Sequence, residues 1–398
     1  MTRIRPIFAA AALLALAAAG CGPGSPAEER AQLGRQEKGD IVLAAVWPFQ
    51  ARGEIRFAEG LQMAVEEVNA AGGIGGRRVR LRMEDDRGSV NDGLLVAQRL
   101  ADDPRVAAVI GHLNSYVTVP AASVYESGGL LLLAPASTDP ELTAKGYARV
   151  FRIIPTDRQT GHRMAEYAAR RGYRRVAIYY ARNSYGRALA NAFEERAATT
   201  GLTVVARASY APEAAGDGRT FAPTLGEWKD MELDAVFLAG QVPQAGYLAA
   251  EARRLGITAA ILGDDAMSSP ALVQAGGAAV EGTVVPSPFH PGEPRAVVQR
   301  FSASFRRRFG AEADPGAALG YDAVMVLAAA MRRAGSAAPE DVAAALRALR
   351  AHPGVTGPIT FDPRGDLAER EMVKTVVRGG AFHYLGGDAL ARAGGRER

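Results

Sequence analysis

Six short segments of this chain carry side chains able to grip a small charged molecule, and each directly follows an apolar run. Trp47 and Phe49 come after Ile41 to Val46, and Gly111-His112-Leu113-Asn114-Ser115-Tyr116 after Val106 to Ile110. Ala134-Pro135-Ala136-Ser137-Thr138 comes after Leu130 to Leu133, and Asn183-Ser184-Tyr185-Gly186 after Val176 to Tyr180. Gly240-Gln241 comes after Ala235 to Ala239, and Gly263-Asp264-Asp265 after Ala260 to Leu262. Backbone amides at helix starts suit an anion, and a carboxylate beside them suits a cation. Together they suit a zwitterion such as an amino acid. Taken singly, each residue has a plainer reading. Ser115 and Thr138 fit caps or turns, Asp264 and Asp265 fit turn formers beside Gly263, Tyr185 fits a surface aromatic, and Trp47 fits the core. Their shared place at the carboxyl ends of strands, where open parallel sheets bind ligands, favours a site.

The elements that would position them alternate. Ile41 to Val46 is a continuous apolar run, expected of a strand covered on both faces. Phe57, Leu61, Val65 and Val68 recur at helical spacing, and Gly72-Gly73 stop that helix. A strand is expected over 78–83, a helix over 94–101, a strand over 106–110, a helix over 120–127 and a strand over 130–133. The alternation resumes with helix 164–171, strand 176–180, helix 186–200, strand 203–208, strand 235–239, helix 245–255 and strand 260–262. Such βαβα order implies parallel, doubly wound sheets, here in two successive α/β lobes.

The amino end reads as an export signal. Arg3 and Arg5 precede an apolar stretch from Ile7 to Ala19, too short to span a bilayer. It closes on Ala18-Ala19-Gly20-Cys21, and Cys21 is the only cysteine of the chain. A cysteine directly after small residues is the pattern of a lipobox, with Ala18 where Leu is more usual, so residues 1–20 are expected to be a lipoprotein signal peptide and Cys21 the lipid attachment point. Residues 21–39, rich in Gly, Pro, Glu, Gln and Arg, are expected to form a flexible tether. A single cysteine leaves no disulfide, so stability must come from packing.

The net charge of +4 does not indicate a nucleic-acid partner, because the 47 basic residues are interleaved with 43 acidic ones. No G-x-S-x-G, H-E-x-x-H or G-x-x-x-x-G-K-[ST] pattern occurs, and His112, His162, His290, His352 and His383 lack metal-ligand spacing. No enzyme, metal site or cofactor is therefore expected. The glycines at 72–76 close a helix rather than open one, which argues against a dinucleotide fingerprint.

The segments Ala64 to Gly76, Gly111 to Ser115, Pro135 to Thr143, Asn183 to Gly186 and Thr356 to Asp362, taken in that order, resemble the leucine/isoleucine/valine-binding family of solute receptors for branched-chain-type ABC importers. The likeness spans about 40–385. It implies a Venus-flytrap of two Rossmann-like lobes joined by three crossings, lobe 1 being 40–155 with 288–373 and lobe 2 being 156–287 with 374–398. It also implies that Ser115 and Thr138, with loop amides around Ser137, hold an α-carboxylate. The α-ammonium would meet the Ala136 carbonyl, the Thr138 hydroxyl and Asp265, and Tyr185 would reach in from the second lobe. The family often has Glu where Asp265 stands, Gln241 replaces a tyrosine, and the loop carrying Trp47, Phe49, Arg52 and Glu54 is shortened, so leucine specificity does not transfer. The implied partners are a small ligand, a membrane permease and its ATPases; the same fold also serves sensors and envelope regulators.

Overall fold

The computed structural model describes residues 24–386 apart from 37, 53–54, 215, 217 and 369. The leader, Cys21, Glu54 and the segment 387–398 lie outside the described residues.

The chain opens with α1 (Pro26–Arg35), then β1 (Ile41–Trp47), α2 (Phe57–Ala70), β2 (Val79–Asp85), α3 (Val90–Asp102), β3 (Val106–Gly111), α4 (Ser115–Ser127), β4 (Leu131–Ala134), α5 (Glu141–Ala144) and β5 (Val150–Arg152). These strands form one sheet in the order β2-β1-β3-β4-β5, and every pair is parallel. The order doubles back at β1, so helices cover both faces. Leu43, Ala45 and Trp47 pack with α2 on one face, and Ala44 and Val46 pack with α3 and α4 on the other. That two-sided burial is why β1 reads as an unbroken apolar run.

A second alternation follows: α6 (Asp157–Arg170), β6 (Arg175–Ala181), α7 (Ser184–Thr200), β7 (Thr203–Tyr210), α8 (Ala222–Trp228), β8 (Ala235–Ala239), α9 (Gln244–Arg254), β9 (Ala260–Leu262), α10 (Pro270–Gly276) and β10 (Val284–Ser287). The chain then returns to the first unit. It forms α11 (Ala296–Phe309), α12 (Pro315–Ala334), α13 (Pro339–Arg347), β11 (His352–Gly354) and β12 (Gly357–Ile359). α12 and α13 complete the core against α2 and β1. Finally β13 (Val373–Arg378) and β14 (Ala381–Leu385) join the second sheet, whose order is β14-β13-β10-β9-β8-β6-β7. The two units are thus Rossmann-like α/β lobes, and the chain passes between them after β5, after β10 and before β13.

Two expectations need correction. The second sheet is mixed, because β13 and β14 pair antiparallel to their neighbours. Gly379-Gly380, both at positive φ (55° and 74°), make the tight turn between them. The tether is the second. Residues 26–35 form a helix, opened by a capping box in which the Ser25 hydroxyl accepts from the Glu28 amide and the Glu28 carboxylate accepts from the Ser25 amide. Composition pointed to a solvated coil, but Ser25-Pro26-Ala27-Glu28 is itself a local helix-start signal, and Arg30 gains burial from distant carbonyls that composition does not reveal.

Candidate functional site

The carboxyl ends of the strands of both lobes face one cavity of about 170 Å³. That is close to the roughly 150 Å³ that holds a benzene-sized molecule in a protein core, so it has room for one small ligand and not for a peptide. Trp47, Ser115, Ala136 and Thr138 line it from the first lobe, and Tyr185, Gln241 and Asp265 from the second. Ser137 is not on the wall. It is fully buried behind it, and its hydroxyl has no hydrogen-bond partner.

Ser115 is the first residue of α4, and Asn114 before it makes no side-chain cap. The Ser115 hydroxyl instead accepts from the amides of Thr138 (3.2 Å) and Asp139 (3.3 Å). This ties the loop after β3 to the loop after β4 and leaves the O–H itself to donate. The second loop is fixed further by buried Arg152 at the end of β5. Its guanidinium donates to the carbonyls of Ser137 (3.1 Å) and Asp139 (2.7 Å) and to the Thr143 hydroxyl (3.0 Å), and it pairs with Asp366 through Nε at 2.9 Å. Below the first loop, His112 is fully buried. Its Nδ1 meets the Asp86 carboxylate at 2.6 Å and its Nε2 meets the Tyr125 hydroxyl at 3.1 Å. Asp86 also accepts from the Gly88 amide. The segment that presents Ser115 is therefore seated on a closed polar network.

From the second lobe, Tyr185 occupies the second position of α7, whose N-cap Asn183 accepts from the Gly186 amide at 2.9 Å. Its hydroxyl donates to Asp265 Oδ1 at 3.1 Å. Asp264 is fully buried. One of its oxygens accepts from the Gly240 amide at 2.6 Å, and the other has no partner. Asp157, the first residue of α6, is also fully buried, with both oxygens unpartnered.

These three carboxyls give the site its electrostatics. Burial pushes Asp157 and Asp264 well above the usual carboxylate range, and Asp265 adds to both by repulsion. Asp265 borders the cavity and is half-buried, and burial raises it to about 6. Burial, with Asp264 and Asp265 nearby, also holds the Tyr185 phenol protonated far above its ordinary range. Carboxyls crowded at one wall favour binding of a positive group. Ile55, Leu113, Ile154, Val242 and Leu319 supply an apolar part of the wall, and Arg52, Asn114 and Asp314 add polar groups to the rest. Trp47 stacks on Phe57, with ring centroids 3.9 Å apart.

The chain matches the periplasmic binding protein family over residues 48–381. It belongs to that family. Among relatives of this binding protein, the leucine-, isoleucine-, valine-, threonine- and alanine-binding protein of Pseudomonas aeruginosa is 30% identical over 324 residues, covering 80% of this chain and 84% of the relative. The leucine-specific-binding protein of Salmonella typhimurium is 30% identical over 331 residues, covering 82% of this chain and 87% of the relative. Among solved structures, an ABC transporter substrate-binding protein from Desulfitobacterium hafniense in complex with Leu is 37% identical. It covers 87% of this chain and 100% of its own, with a TM-score of 0.79. These relatives are solute-binding proteins, not enzymes. This binding protein therefore has the two-lobe fold and the solute-binding role of its family.

Several residues at or behind the site escaped sequence reasoning. Asp157 could have been noticed, because Thr156-x-x-Gln159 is a capping box that places Asp157 at a helix start. The pairings of His112 with Asp86 and of Arg152 with Asp366 carry no local signal, since their partners lie far apart in sequence. Leu319 was missed because the segment 288–355 gave no motif, and Ile55 because a single apolar residue in the loop between β1 and α2 carries no pattern.

Proposed function

We propose that this chain is a lipid-anchored extracytoplasmic receptor of an ABC importer that binds an α-amino acid between its lobes and delivers it to a membrane permease. The observation that supports this most is the pairing of opposite polarities across one small cavity. The Ser115 hydroxyl and the first turn of α4 lie on one side, and Asp265, within a cluster of buried carboxyls, lies on the other. A carboxylate suits the helix start and the hydroxyls of Ser115 and Thr138. An ammonium suits Asp265 and the Ala136 carbonyl. The apolar wall then faces the ligand's side chain, with Trp47 and Gln241 shaping its end. Arg52 also lines the cavity. The lobes are proposed as 40–155 with 288–373 and 156–287 with 374–398; α1 adds 26–35 to the first. A ligand touching both lobes has higher affinity for the closed form, so binding draws the cleft shut, and the closed form is the one read by the permease. Lipid at Cys21 would keep the receptor at the membrane.

The test is a thermal-shift panel on the soluble body from Gly22 onward, retaining α1, with the twenty amino acids, small amides, aromatic acids and polyols. A ligand at about 100 times its Kd adds roughly 2.7 kcal/mol, a rise of several degrees. A rise with α-amino acids is expected. A rise with acids or amides alone would remove the ammonium role from Asp265, and no rise with any compound would overturn the amino-acid reading.

A further inference from the structure

Helix α1 lies outside the residues matched to the family, yet it is fixed to the first lobe as firmly as a core element. Arg30 is 1% exposed. Its guanidinium donates to five main-chain carbonyls: Nε to Val106 (2.9 Å), Nη1 to Gly128 (2.6 Å), and Nη2 to Leu100 (3.3 Å), Ala101 (2.6 Å) and Asp103 (3.1 Å). Gly34 forms a second lock. A Cβ there would stand 2.3 Å from the Ala338 nitrogen, and the Gly34 carbonyl accepts from the Ala337 amide at 2.8 Å. Arg77 then straps the exit of the helix, donating to the carbonyls of Gly34 (3.2 Å), Gln36 (2.9 Å) and Gly39 (2.9 Å).

The carbonyls that hold Arg30 end α3, open β3 and close α4. They mark the amino edge of the first sheet, whereas the ligand cavity lies beyond the carboxyl ends. So α1 covers the pole of the first lobe farthest from the cleft. Only four residues, Gly22 to Ser25, separate Pro26 from Cys21.

We propose that this pole is the face held against the lipid surface, with α1 acting as a docked collar that shortens the connection to the acylated cysteine. The inference rests on the reading of Cys21 as lipid-bearing. Four residues span at most about 14 Å in any arrangement, whereas the stretch 22–39, freed from the lobe, could span about 60 Å. The docking of α1, not the number of residues before β1, then sets how far the receptor stands from the membrane and which lobe is nearest to it. The second lobe is the distal one.

Because Cys21 is the only cysteine and acylation consumes its thiol, a newly introduced cysteine can be labelled alone. The experiment uses the full-length protein purified from membranes and reconstituted in phosphatidylcholine vesicles carrying an acceptor lipid. A donor dye is placed at Lys38→Cys, just after α1, or at Lys229→Cys, at the far pole of the second lobe; both positions are exposed. Energy transfer to the lipid is expected to be at least about threefold stronger from 38 than from 229, given a connection of about 14 Å. Arg30→Ala is expected to shrink that ratio toward one. An insert of about twelve Gly/Ser residues between Gly24 and Ser25 leaves α1 docked and lengthens the connection, so it is expected to shrink the ratio without any loss of fold. Equal transfer from the two sites in the acylated protein, or a ratio unmoved by the insert, would overturn the orientation alone. An intact mass without acyl groups, together with failure to float with vesicles, would overturn the lipid anchor itself and the orientation with it.

Discussion

Replacing Asp265 by Asn is expected to move ligand affinity and ligand-free stability in opposite directions. Asp265 has a folded pKa of about 6 against an ordinary value of 3.8. A carboxyl raised on folding stabilises the native state fully below its unfolded pKa and loses that contribution as pH rises through its folded pKa. Two units at 1.36 kcal/mol each make the loss about 3 kcal/mol above pH 6. Asparagine cannot ionise, and its carbonyl can still accept from the Tyr185 hydroxyl, which now donates to Asp265 at 3.1 Å. The ligand-free variant should therefore gain roughly 1–3 kcal/mol at pH 7.5 and almost nothing at pH 4, seen as a melting point higher by several degrees at the upper pH only. Affinity should fall, because a charge-assisted bond to an ammonium contributes about 1.5–3 kcal/mol, or roughly 10- to 150-fold in Kd. Differential scanning fluorimetry at the two pH values and titration calorimetry with the amino acid giving the largest thermal shift measure both arms. Unchanged affinity would show that Asp265 does not meet the ammonium. A lower melting point for the free variant at pH 7.5 would show that the carboxylate is compensated rather than isolated.

The same titration makes wild-type binding pH-dependent: affinity for an amino acid should weaken by up to tenfold per unit below about pH 6, with proton release on binding detectable by calorimetry in buffers of different ionisation enthalpy. Tyr185→Phe removes one hydrogen bond to Asp265 and should cost about 0.5–1.5 kcal/mol of affinity with little change in fold, as read by calorimetry and circular dichroism. Arg152→Met breaks the buried pair with Asp366 and frees the 137–139 loop; it should lower unfolding stability by about 3–5 kcal/mol in urea titrations and weaken ligand binding as well. Ser115→Ala leaves the amides of Thr138 and Asp139 without their shared acceptor and should weaken binding by about 1–3 kcal/mol, whereas Ser115→Thr should restore most of it.

Much of the architecture was legible in the one-dimensional pattern. Ile41 to Val46 and Val106 to Ile110 announced strands buried on both faces, and Gly72-Gly73 marked a helix end. Those signals are local, because strand burial and helix termination are written within a few residues. The same logic brought Ser115, Thr138, Tyr185, Gln241 and Asp265 together, since residues that directly follow parallel strands must gather at one end of their sheet. Helix starts were read too late: α4 and α6 begin five and seven residues before the expected positions 120 and 164, because polar first turns such as Ser115-Tyr116 and Asp157-Arg158 dilute the apolar period. The tether failed for a related reason, since Arg30 is polar in the sequence and buried only because carbonyls from α3, β3 and α4 converge on it.

By itself, then, the sequence determined the α/β alternation, the pairing of two lobes and the end of each sheet at which a ligand would sit. Tertiary structure alone decided the charge state and rigidity of that site. Asp157, Asp264 and Asp265 come from strand ends and a helix start as far apart as 108 residues, counted from 157 to 265, and only their joint burial raises their pKa values. Arg152 finds Asp366, and His112 finds Asp86, across folds of the chain that no local pattern records. Desolvation and Coulomb interaction depend on three-dimensional neighbours, so the strength of the site was settled only when the chain closed on itself.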